Sequence, residues 1–93
     1  MMLTAVKLAL RITSEVYDPE ITDLIEAAKL DLKGAGVVVA DVEDPLIKRA
    51  IIIYTKANFG LANLEAEQYQ RSYDRLKTHL ALSADYNTAS EGV

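Results

Sequence analysis

Residues 45–60, PLIKRAIIIYTKANFG, constrain the fold of this chain more than any other stretch. Asp44 is placed to cap a helix, and Pro45 stands at the first helical position, where a missing N–H is harmless. Gly60 stands where a helix usually stops. Between them, Leu46, Ile47, Ala50, Ile51, Ile52, Ile53, Tyr54, Ala57 and Phe59 cover most of the helical circumference rather than one stripe. A helix apolar nearly all round has to be surrounded. In a chain of 93 residues few other elements exist to surround it, so the pattern points outward, to partner subunits.

That length suits one domain, whose small core is marginal without added support. Cysteine is absent, which excludes a disulfide scaffold and a thiolate metal site. The formal net charge is −4, which argues against a protein that grips duplex DNA by neutralising phosphates. The charge is uneven. Residues 14–44 hold nine acids against Lys29 and Lys33, while residues 1–13 and 45–60 hold only basic charges. Such a division allows pairing within a subunit, pairing with a neighbouring copy, or a solvated acidic face. The longest apolar run, Ala50–Tyr54, is far too short to span a bilayer, and no secretion signal is apparent. A reducing, soluble compartment is the simplest expectation.

Residues 3–12 alternate like a strand yet also place Leu3, Val6 and Leu10 at helical spacing; their composition favours a short helix, with Thr4 as its cap. Residues 13–18 form a polar connection. Asp18-Pro19-Glu20 repeats the helix-start signal, and Ile21, Leu24, Ile25, Ala28 and Leu32 make an amphipathic helix that Gly34 ends. Residues 34–44 are irregular, with Val37–Val39 either a short strand or valines that plug the core edge. Asn63 is placed to cap a long helix over 64–82, in which Tyr69, Tyr73, Leu76 and Leu80 share a face. Residues 83–93 are small, polar and acidic, and are expected to form a flexible tail. The fold class is therefore all-α: about four helices in a single domain over residues 1–82, an irregular or short-β arm at 34–44, and a disordered tail at 83–93. Ile47, Ile51, Tyr54, Leu76 and Leu80 are expected to build the core.

Catalytic chemistry has little to stand on, so no enzyme, cofactor or metal site is expected. His79 is the lone imidazole, suited to the last turn of a helix or to water. Gly34-Ala35-Gly36 lacks the lysine and spacing of a phosphate loop. The acids Glu15/Asp18 and Asp41/Glu43/Asp44 lack the order of an EF-hand, and helix capping accounts for Asp18 and Asp44. Tyr86, isolated in the tail, has two readings: an anchor that docks in a partner groove, or a ring lying back on its own helix.

Three stretches together resemble a known family: Val6-Lys7-Leu8-Ala9-Leu10-Arg11-Ile12 with the acidic turn after it; Ile21-Thr22-Asp23-Leu24-Ile25-Glu26-Ala27-Ala28; and Asp44-Pro45 leading into the apolar helix, then Tyr73-Asp74-Arg75-Leu76-Lys77. In this order and spacing the chain resembles the small head–tail connector (adaptor, or head-completion) proteins of long-tailed bacteriophages. Family members often carry an aromatic or tryptophan-bearing segment in the central helix; here Tyr54 and Phe59 stand there, and there is no tryptophan. The resemblance implies an all-helical virion protein of the neck, present in the host cytoplasm during assembly. It implies a ring, dodecameric in the virion, that joins the portal to the next neck protein and lines the DNA channel without catalysing a reaction. No membrane is involved, and DNA passes without specific recognition.

Candidate subunit contacts are Val37, Val38, Val39, Asp41, Glu43, Asp44, Lys48, Arg49 and Arg75. The candidate portal-docking tail runs over 85–93, with Asp85 and Tyr86 foremost. The rival class is a small helical DNA- or protein-binding regulator of antitoxin type. It would need a basic recognition helix, and residues 64–82 carry three acids against three bases.

Overall fold

A computed structural model describes residues 2–38, 43–60, 65–83 and 86. Four α-helices account for most of them: α1 (Met2–Leu10), α2 (Asp18–Gly34), α3 (Pro45–Asn58) and α4 (Ala66–Leu82). A single 3-10 turn, Glu15–Tyr17, leads into α2, with the Ser14 hydroxyl accepting from the Val16 N–H at 3.1 Å. The chain is a small all-α bundle, as the residue pattern indicates.

Helix α3 is the axle. It packs against α4, α2 and α1 alike. Ile47, Ala50 and Ile51 are fully enclosed, and Ile52, Ile53 and Tyr54 are half-buried against the same core. This corrects the expectation that neighbouring subunits must cover the central helix. Among the described residues, the large apolar side chains left exposed are Leu8, Val16, Tyr17, Leu30 and Leu82, none of them on α3. Three helices of the same subunit suffice because each brings a narrow apolar stripe to a different side of α3. Met2 and Val6 come from α1, Ile21, Ile25, Ala28 and Leu32 from α2, and Tyr73 and Leu80 from α4.

The helix ends show how the sequence sets their lengths. At the end of α2, Gly36 takes φ +91°. The Gly36 N–H donates to the Lys33 carbonyl (3.0 Å) and the Val37 N–H to the Leu32 carbonyl (2.9 Å). This is the left-handed helix stop in which the residue after the turn packs back on the last turn. The helix ends at Gly34, as the residue pattern indicates, and Gly36 supplies the left-handed turn just beyond it that draws Val37 into the core beside Leu32. The same pattern closes α1, with the Ile12 N–H on the Lys7 carbonyl, but there Arg11 holds the left-handed position at φ +60°. Thr4 lies inside α1 rather than at its cap.

Of the two Asp-Pro starts, one caps as expected. Asp44 Oδ1 accepts from the N–H groups of Leu46 (3.0 Å) and Ile47 (3.3 Å). Asp18 instead sits within the first turn of α2 and forms an ion pair with Lys7 Nζ at 2.7 Å, tying α1 to α2. Of the five expected core residues, Ile47, Ile51 and Leu80 are buried, while Tyr54 and Leu76 are half-buried. Asn63 and Leu64 lie outside the described residues.

Candidate functional site

Most of the contact residues read from the sequence gather at one corner, where the chain leaves α2, enters α3 and returns after α4. Asp44 is its centre. While capping α3, its carboxylate also accepts from the Tyr86 hydroxyl, at 3.1 Å to each oxygen. The Tyr86 carbonyl accepts from the Val38 N–H at 2.6 Å. Val37 forms an isolated bridge here, and its side chain is buried within the subunit. Glu43 reaches Lys48 Nζ at 3.4 Å, while Arg49 is exposed on the next position of α3. Val39, Asp41 and Asp85 lie outside the described residues.

Tyr86 therefore lies back on its own subunit. Its seat is the start of α3 rather than the helix that precedes it. One carboxylate holds two backbone N–H groups and a phenol, so the capping of α3 and the position of residue 86 are coupled. No signal in the residues around Tyr86 names Asp44 as its partner, because the two are 42 positions apart.

Arg75 is elsewhere. It is exposed on the outer face of α4, where Glu67, Gln68, Arg71 and Arg75 line an open recess. Arg71 Nη2 is 3.5 Å from Glu67 Oε1, a solvent-exposed pair that contributes little to stability. His79 is exposed on α4 as well.

A second polar cluster clamps the two helices that flank α3. The Tyr73 hydroxyl donates to Asp31 Oδ2 at 2.6 Å, and Lys77 Nζ donates to the same oxygen at 3.1 Å. Lys77 also lies over the Tyr73 ring, 5.2 Å from its centroid, and the Tyr54 ring meets that of Tyr73 edge-on at 5.1 Å. The Tyr73 hydrogen bond, aided by Lys77, holds the Asp31 carboxyl below its ordinary range. Burial first, then the hydrogen bond to Asp31 and the charge of that carboxylate, pushes the Tyr73 phenol far above its usual value. The sequence reading placed Tyr73 on the apolar face of its helix but gave it no polar partner; Asp31, acidic and within an amphipathic helix, resembles any solvated residue until α2 and α4 are brought together. Among the described residues no group of histidine, aspartate and glutamate is arranged to hold a metal ion. No described helix is long and apolar enough to cross a membrane.

A family model described as phage connector protein matches residues 2–87. The chain belongs to the phage connector family. A connector is a structural component of the phage particle, and association with other virion proteins follows from that role. Comparison with curated proteins and with solved structures gave no match. The match spans all four helices and ends one residue beyond Tyr86, so the corner at Asp44 lies within it.

Proposed function

We propose that this connector forms a ring between the capsid portal and the tail, lining the channel through which DNA passes. The observation that carries the reading is the connector-family match over residues 2–87. Ring subunits meet through two different surfaces related by rotation, and opposite charges on those surfaces set the register between neighbours. The segregation of acids into residues 14–44 and of bases into 45–60 supports this, as does the exposure of Arg49 and Arg75. An acidic lumen repels phosphate and lets DNA pass without sticking. The role is one of assembly and catalyses no reaction. It is played in the neck of the virion, after assembly in the host cytoplasm.

Contact residues in this proposal are Val38, Glu43, Asp44, Lys48 and Arg49 at the corner, together with Arg75. The tail around Tyr86 docks on the portal. Because Tyr86 is bound to Asp44 and Val38 in the free subunit, docking requires it to leave that seat. Native mass spectrometry of the purified chain, alone and with portal protein, tests the reading: ring-sized assemblies are expected. The Lys48→Glu, Arg49→Glu variant is expected to weaken them, and unchanged assembly removes both residues from the interface. Lys48→Glu also breaks the Glu43 pair inside the subunit, so Arg49→Glu alone is the cleaner probe.

A further inference from the structure

Two exposed leucines stand out on otherwise polar helix faces. Leu30 on α2 is 69% exposed and Leu82 on α4 is 79% exposed. Each ends a stripe that faces away from the core. On α2 the stripe is Asp23, Glu26 and Leu30, spaced i, i+3, i+7, with Glu20 one turn before it. On α4 it is Arg75, Thr78 and Leu82, at the same spacing, with Arg71 one turn before it. All eight side chains are exposed. One stripe is acidic and the other basic, and in both the leucine lies at the C-terminal end. From the charge to the leucine each spans seven residues, about 10 Å of helix. Spacing of three and four is what lets two helices mesh along a seam.

We infer that the α2 stripe of one copy docks, in parallel, on the α4 stripe of a second copy of this chain. In that register Leu30 meets Leu82, Glu26 meets Thr78 and Asp23 meets Arg75, with Arg71 one residue out of step with Glu20. An antiparallel register would set each leucine against a charged residue and lose the ion pairs. Within the subunit, Asp23 and Arg75 have no ion-pair partner among the described residues, and Arg71 has only the exposed Glu67. Both helices flank α3, and the two stripes belong to different surfaces. The contact is therefore heterologous, and repeating it closes a ring or builds a filament. This inference rests on the ring reading above and adds to its Asp44 corner a second contact, which gives Arg75 its partner.

The chain has no cysteine, so introduced thiols report unambiguously. Leu30→Cys and Leu82→Cys, both at exposed sites, are made separately and oxidised mildly at concentrations where the parent chain assembles. Each alone is expected to remain uncrosslinked, and the equimolar mixture to give a disulfide dimer. The double variant is expected to give a ladder that ends in a closed species. In parallel, Asp23→Arg is expected to weaken assembly by a factor of roughly ten or more, and Arg75→Asp added to the same chain to restore it. Assembly without the mixed crosslink, or self-crosslinking of Leu30→Cys alone, overturns this contact and leaves the ring reading standing. A chain that stays monomeric at every concentration, with portal protein present or absent, overturns both.

Discussion

Asp44 shows how much one side chain can hold together here. It caps α3, as the Asp-Pro start implies, and it seats the Tyr86 hydroxyl, which nothing local implies. Asp44→Ala is expected to cost about 1–2 kcal/mol in urea unfolding, the usual worth of a helix cap. The same change is expected to expose Tyr86, read as faster quenching of its fluorescence or loss of protection at the Val38 amide. Arg11 behaves in the opposite sense. A non-glycine residue in the left-handed region carries about 1–2 kcal/mol of strain, partly balanced by the greater freedom glycine gains on unfolding. Arg11→Gly is therefore expected to raise stability by about 0.5–1 kcal/mol, read as a higher urea midpoint with an unchanged slope.

At the scale of elements, α3 is enclosed by its own subunit, and this has a direct consequence. Ile51→Ala, which empties a fully enclosed site, is expected to destabilise by about 2–5 kcal/mol, measured by urea unfolding at a concentration too low for assembly. The clamp between α2 and α4 gives a pH signature. Asp31 has a lowered folded pKa, so its contribution is fully present above its unfolded value near 4 and is lost as pH falls further. Tyr73 has a raised one, so its contribution is full below its unfolded value near 10 and declines above it. Tyr73→Phe leaves Asp31 with Lys77 alone. Its stability profile is expected to flatten on both limbs, measured by urea unfolding between pH 3 and pH 11. The helices themselves were legible in the sequence because each carries its own start signal and stripe: Asp18-Pro19 for α2, Asp44-Pro45 for α3, the Tyr73–Leu80 face for α4. The clamp was not, because an aspartate at position 31 and a tyrosine at position 73 become partners only when two helices lie on either side of a third.

At the scale of the molecule, the large apolar side chains exposed among the described residues are few: Leu8, Val16, Tyr17, Leu30 and Leu82. Assembly held by exposed opposite charges is screened by salt, since the Debye length falls to about 3 Å at 1 M. Sedimentation of the concentrated chain is accordingly expected to shift toward smaller species as salt is raised. A contact made mainly of buried apolar surface would keep or gain size. Arg49 and Arg75 both stand among the subunit contacts read from the sequence, and the structure separates them: one flanks the Asp44 corner, the other the recess on α4. Position along the chain could not distinguish these surfaces.

By itself the sequence determined the helical class, where the helices begin, and the connector-like order of elements, because caps, prolines and apolar spacing act over one or two turns. It misjudged where the apolar surplus goes: the all-round apolar helix reads the same whether its cover comes from within the subunit or from outside. Only the tertiary structure decided that α1, α2 and α4 enclose it, that Val37 turns inward, and that Tyr86 returns to Asp44. Those outcomes depend on which surfaces meet across long separations in the chain, and burial and hydrogen bonding decide that only when all four helices are in place.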